Sequence, residues 1–347
     1  MNENKNCSCM NENKNCILIL SAPRSGSTWL GSLFNSHPNV IYRHEPIARL
    51  HSRIEARNGL LRRLKFGPVL SENDRKELLD LLCTASPEVD RPPFFTKSYS
   101  HAPANWRFIL WTLSVNSETF SRLYEKHFFF LQTPKEILVI KETGWSMELV
   151  SIVRGLGSSA TLLLVRHPCA IISSVLRGIN SGLMPRADEQ MKRDWYVHHQ
   201  AAPFLTNNAI KEPEVIQMDP LTFWALRLRI LYDIFLELAA AGSTKVSFLV
   251  YEEIQRDPQK EIADLFTRLN ITLDQRVIKF IDKSIGQKPT MVYTLQNKGK
   301  SKYFGVLRRK SFDPWQWQRQ LTSKQIEEIC TLAGDAALQR FWPRPDS

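Results

Sequence analysis

No stretch of the sequence approaches the eighteen or so consecutive apolar residues of a membrane span, and the polar N-terminus has no signal-peptide core. A cytoplasmic protein with no membrane span is the expectation. Cysteine is sparse, six in 347 residues with no Cys-x-x-Cys pair, which argues against a secreted disulfide framework and against a zinc ligand set. Cys7, Cys9 and Cys16 lie near one another without a paired partner or a histidine. Acidic residues are in deficit, 35 against 46 Lys and Arg, a formal charge of +11. An anionic partner follows: a nucleotide, a sulfated or phosphorylated substrate, nucleic acid or a membrane surface.

The first sixteen residues hold a duplicated heptapeptide, Met1 to Cys7 and again Met10 to Cys16, whose Asn, Lys and Glu content reads as a flexible tail. Residues 17–347 are apolar enough to build a core, and are read as one domain. Residues 47–131 read as a mostly helical insertion covering an acceptor pocket, and 177–219 as a partly helical lid or acceptor segment containing His198 and His199.

The organising stretch is Cys16 to Trp29. An apolar strand, Ile17 to Leu20, breaks at Pro23 into a polar loop from which a helix starts. Loop N–H groups and the positive end of the helix dipole converge there on an anion. Gly26 permits close backbone approach, Arg24 adds charge, and Ser25, Ser27 and Thr28 add hydroxyls. Ser25 or Ser27 is expected to cap the helix, and Trp29 is large enough to lie against a base. An ordinary strand, turn and helix would show the same pattern. A nucleoside-triphosphate loop wants a first Gly and a Lys before its final hydroxyl residue; here Ser21 and Ser27 stand in those places. A loop without that Lys suits a sulfuryl group better than a γ-phosphoryl.

Residues 23–29, Pro-Arg-Ser-Gly-Ser-Thr-Trp, resemble the 5′-phosphosulfate loop of sulfotransferases that use 3′-phosphoadenosine 5′-phosphosulfate (PAPS). The resemblance implies an α/β fold, a doubly wound parallel sheet with a P-loop-like nucleotide-binding core. It also implies sulfuryl transfer to a hydroxyl or amine of a small-molecule, sugar or lipid acceptor, with no metal and no nucleic-acid partner. Further strand ends fit the same order. Asn39 to Tyr42 leads to Arg43-His44-Glu45-Pro46, where Glu45 matches the carboxylate proposed as base in sugar-directed members, and His44 titrates near neutrality. Glu45 paired with Arg43 or Arg49 is the plainer reading. Ile137 to Ile140 leads to Lys141-Glu142-Thr143; Lys141 matches the lysine that reaches the sulfonate, Thr143 replaces the histidine base of cytosolic members, and Glu142 is a reserve base. A local ion pair is the alternative for Lys141.

Ala160 to Val165 leads to Arg166, with Ser174 eight residues on; the resemblance gives this pair the 3′-phosphate, with His167 in place of the commoner Asp. Val246 to Val250 leads to Tyr251, which with Trp29 would flank the adenine. Residues 298–310 carry six basic side chains and no acid, and Arg308, Arg309 and Lys310 are the expected grip on the 3′-phosphate, unless this is only a basic surface loop. A P-loop kinase and a noncatalytic basic nucleotide- or nucleic-acid-binding protein are the other classes; oligomeric state is left open.

Overall fold

A computed structural model describes residues 16–57, 59–66, 70–100, 102–127, 136–144, 148–157, 159–241, 246–286 and 313–343. In chain order the elements are β1 Cys16–Ser21, α1 Ser27–Ser36, β2 Val40–His44, α2 Pro46–Arg49, α3 His51–Glu55, α4 Leu60–Phe66, α5 Glu72–Cys83, α6 Ala104–Ser114 and α7 Glu118–His127. There follow β3 Ile137–Thr143, α8 Glu148–Leu156, β4 Ala160–Val165, α9 Pro168–Asn180, α10 Glu189–His199, α11 Pro203–Asn207, α12 Glu212–Gln217 and α13 Pro220–Ala240. The last are β5 Val246–Val250, α14 Tyr251–Arg256, α15 Pro258–Arg268, α16 Gln275–Gly286, α17 Ser323–Ala333 and α18 Asp335–Phe341.

The five strands form one parallel sheet in the order β2-β3-β1-β4-β5. Their side chains alternate between two cores, as the two-residue period of a strand dictates. From β1, Cys16, Leu18 and Leu20 enter one core while Ile17 and Ile19 enter the other; β3 divides Leu138 and Ile140 from Ile137 and Val139 in the same way. Helices therefore cover both faces, and this is why the strands read as continuous apolar runs. The fold is the doubly wound α/β fold expected. Parallel pairing brings every strand's carboxyl end to one edge, and the chain turns from one side of β1 to the other there, which opens a crevice beyond β3, β1 and β4.

Two expectations about organisation change, and a third segment gains detail. Cys16 is the first residue of β1, paired with Leu138, so the sheet begins within the stretch assigned to the tail. β2 and β3 run on to His44 and Thr143, so these residues sit in the ladder rather than after it: His44 lies opposite Lys141, and Ser21 opposite Thr143. Residues 177–219 are partly helical, as expected, and are anchored on the main core. Trp195 and Val215 belong to the main core, His199 stacks on Trp195 at 4.8 Å, and Lys192 Nζ donates to the carbonyls of Ile216 and Met218 at 2.8 and 2.6 Å. His198 alone of the two histidines is exposed.

Candidate active site at the carboxyl edge of the sheet

The β1–α1 turn is tighter than the helix-cap reading supposed. Gly26 is the N-cap with φ 94°, and neither serine caps the helix by its side chain. That left-handed backbone is what glycine supplies without a Cβ penalty. Arg24 also has positive φ, 72°, as does Glu45 at 52°. Non-glycine residues hold such backbone only where surrounding contacts enforce it, and both lie at strand ends facing the same crevice.

Around Arg24 the contacts are specific. Its Nε donates to Ser174 Oγ at 3.1 Å, and its carbonyl accepts from Arg166 Nη1 at 2.8 Å. Arg166, Arg24 and Ser174, from three separate elements, therefore meet. The Arg166 guanidinium lies 4.6 Å from the Tyr251 ring centre and its backbone N–H donates to Tyr232 Oη at 3.2 Å. Its Nε is buried without a hydrogen-bond partner among the described residues, and so are the hydroxyls of Ser25 and Ser21. A buried donor left unmet costs about 1–3 kcal/mol, so this corner has the donors, the charge and the vacancy in hydrogen bonding that an anionic ester would fill. Burial lowers the Arg166 pKa from its usual value, and Glu252 opposes that shift.

The two aromatics expected beside a base are both buried. Trp29 is 3% exposed in the core beneath the turn, with Nε1 donating to Ser284 Oγ at 2.8 Å. Tyr251 is 1% exposed and faces the Arg166 guanidinium. Trp29 ties α1 to α16, and the Tyr251 ring supports the cation.

On the other side of the crevice, Glu45 is the hub. Its Oε1 accepts from Lys141 Nζ at 2.5 Å and Thr143 Oγ1 at 2.7 Å, its Oε2 accepts from Arg49 at 2.9 Å, and its N–H donates to the Lys141 carbonyl at 2.7 Å. The Arg49 pairing is thus present, but Arg43 is not part of it. Arg43 is committed to Asp90 at 2.7 Å and to the carbonyls of Leu82 and Cys83. Burial pushes the Glu45 carboxyl up, but Lys141 and the hydrogen bonds outweigh it and hold the group well below the usual range. Burial lowers the Lys141 pKa, opposed by Glu45.

The rival bases differ sharply. Glu142 is buried, donated to by Ile47 N–H at 2.5 Å, and burial raises its pKa to about 8, so it stays protonated at neutrality. His44 is held well below its usual pKa by burial and by Lys141, so it is neutral, with Nδ1 hydrogen-bonded to Tyr42 Oη at 3.0 Å. Of the two carboxylates, Glu45 is the one whose partners favour the ionised form.

The surroundings of two residues were not read from the sequence. His167 sits among three tryptophans, stacked on Trp317 at 4.4 Å with Trp342 and Trp315 at 5.3 and 5.7 Å, and burial lowers its pKa to about 4. Glu252 accepts from His167 N–H at 3.0 Å and from Trp342 Nε1 at 3.1 Å, so it fixes the β4–α9 turn that carries Arg166. Thr28 is exposed on the first turn of α1. Arg308, Arg309 and Lys310 lie outside the described residues. Among the described residues no cluster of three His, Cys, Asp or Glu side chains has metal-holding geometry.

The model of the sulfotransferase family matches residues 16–275. Among solved structures, the chain is similar to the sulfotransferase domain from the Synechococcus PCC 7002 olefin synthase, at 16% identity over 94% of this chain and 98% of that one, TM-score 0.41. It is also similar to sulfotransferase STF9 from Mycobacterium avium, at 12% identity over 95% and 78% of the two chains, TM-score 0.40. Comparison with curated proteins gave no match.

Proposed function

The chain belongs to the sulfotransferase family, and from that premise we propose that it moves a sulfuryl group from PAPS to a hydroxyl or amine of a small-molecule, sugar or lipid acceptor. The observation that carries the choice of donor is the buried, unpartnered Nε of Arg166, beside Arg24 and Ser174 and across from the β1–α1 turn. A 3′-phosphate on Arg166 and Ser174 would meet that need with charge-assisted hydrogen bonds. The turn's N–H groups and the Ser25, Ser27 and Thr28 hydroxyls would hold the 5′-phosphosulfate, with Gly26 allowing close approach.

When bound, PAPS supplies an electrophilic sulfur and a bisphosphate leaving group. Glu45, ionised in the resting protein, accepts the proton of the attacking hydroxyl or amine. Lys141 is its switch. While Lys141 Nζ stays on Glu45 Oε1, the carboxylate is a weak base. Moved toward the negative oxygens of the leaving side, the ammonium neutralises developing charge there and releases Glu45 to a higher proton affinity. Thr143, which stands where cytosolic members of the family have a histidine, keeps its hydrogen bond to Glu45 and fixes the carboxylate's direction. Glu142, protonated and bonded to Ile47 N–H, holds the start of α2 behind Glu45. Transfer of labelled sulfate from PAPS across a panel of sugars, lipids, phenols and amines tests the reading. Transfer in the native protein that disappears in Glu45→Gln supports it, and no transfer to any acceptor class, together with no binding of adenosine 3′,5′-bisphosphate, would overturn it.

A further inference from the structure

The hairpin of α6 and α7 carries apolar side chains on its outer side as well as its inner one. Its inner side packs a small core, Leu110, Trp111 and Tyr124 with Ala85 and Phe94. Its outer side leaves Trp106, Ile109 and Leu113 in one i, i+3, i+7 stripe on α6, Val115 at the turn, and Phe120 with Leu123 on α7, all exposed. Among the described residues, these are six of the nine large apolar side chains that are exposed. Scattered surface apolar residues are ordinary, but a concentration on one helical hairpin marks a surface that is covered in use. A helix in water normally keeps a polar face opposite its packed one; here Thr112 on α6 and Glu118, Thr119, Arg122 and Lys126 on α7 share the exposed side with the apolar residues, as on an interfacial helix.

We propose that the outer face of α6 and α7 docks on the surface of an anionic lipid bilayer. Composition supports it: Trp and Phe beside Ile, Leu and Val suit the boundary between headgroups and acyl chains. Charge supports it as well. Glu118 is matched by Arg122 at 2.6 Å and Glu125 by Arg53 at 2.7 Å, while Lys126 is exposed at the end of α7. The face therefore offers no unmatched carboxylate to repel an anionic surface. The whole chain carries +11, so a bilayer of opposite sign attracts it whereas a second copy of the same protein is repelled. No helix of the described residues is long and apolar enough to cross a membrane, so attachment is by an interfacial face rather than by a span.

The hairpin is tied to the reactive end of the sheet. Arg107 of α6 and Tyr124 of α7 both donate to Asp90, at 2.9 and 3.0 Å, and Asp90 holds Arg43 of β2, two residues before Glu45. Docking would thus bring the catalytic edge to a surface from which an amphiphilic acceptor can be taken. The docking itself does not depend on the identity of the donor.

Flotation of the full chain with vesicles of phosphatidylcholine containing about 30% phosphatidylglycerol tests it, with pure phosphatidylcholine for comparison. Native protein is expected to float with the anionic vesicles and about tenfold less with the neutral ones. The triple variant Ile109→Gln, Leu113→Gln, Leu123→Gln is expected to lose about tenfold or more of the binding while its thermal midpoint is unchanged. Quenching of tryptophan emission by brominated lipid, reduced in Trp106→Phe, gives a second readout that needs only one mild substitution. Native protein that ignores anionic vesicles, or binding and quenching that survive these substitutions, would overturn the proposal. So would a face that instead joins two copies in sedimentation, or captures an acidic protein, while vesicles go unbound.

Discussion

Lys141 Nζ lies 2.5 Å from Glu45 Oε1, although the two residues stand 96 positions apart, Glu45 directly after β2 and Lys141 within the neighbouring β3. Lys141 is 1% exposed. A lysine so deeply buried keeps its charge through such a partner, and the carboxylate keeps its own through the lysine. Glu45→Gln removes the proton acceptor but leaves Arg24, Ser174 and Arg166 in place. Transfer is expected to fall by about 10²–10⁴-fold, with bisphosphate affinity within about twofold of native. Steady-state kinetics beside calorimetry check this; equal losses in both would mean that Glu45 organises the donor site instead.

Lys141→Met separates the two roles of the lysine. Removing the ammonium takes away the charge that neutralises the leaving side, so kcat is expected to drop by about 10²–10³-fold, while the apparent pKa of Glu45 in the pH–rate profile moves upward. That upward movement is the direction required by loss of the Lys141 interactions that hold it down. An unshifted acid limb would contradict the switch.

Glu142 gives stability a definite sign with pH. Its folded pKa is raised from 4.5 to about 8 by burial. Between those values the folded chain holds a proton that the unfolded chain has lost, so this residue makes stability fall as pH rises through that window. Glu142→Gln is expected to remove the decline, so that the variant gains on the native protein from about pH 5 to about pH 8 in chemical denaturation. A native-to-variant difference that does not change with pH would show that the group is ionised when folded.

The strand ends were legible because each apolar run is followed directly by its chemistry, and order along the chain maps onto one edge of a parallel sheet. Arg24, Glu45, Lys141, Arg166 and Tyr251 all lie at or just beyond the carboxyl ends of their strands. Partners across the fold were not legible. Nothing local announces that Arg43 belongs to Asp90, or that residues near 315–342 would surround His167, because such pairings depend on how distant segments pack. Trp29 shows the same difficulty: nothing beside the anion loop announces that its indole N–H reaches Ser284, 255 positions away.

Asp90 is the link between the hairpin and the sheet, 2% exposed and shared by Arg43, Arg107 and Tyr124. Asp90→Ala leaves two buried guanidiniums without their carboxylate, and about 3–5 kcal/mol of stability is expected to go. Urea denaturation measures the loss, and a change below about 1 kcal/mol would mean that the backbone carbonyls around Arg43 suffice.

The most direct test of the account is calorimetric binding of adenosine 3′,5′-bisphosphate and of ATP to the native protein and to Arg166→Ala. The account predicts binding of the bisphosphate in clear preference to ATP, weakened by about 10- to 100-fold in Arg166→Ala. Equal affinity for both nucleotides, or bisphosphate binding indifferent to Arg166, would contradict it.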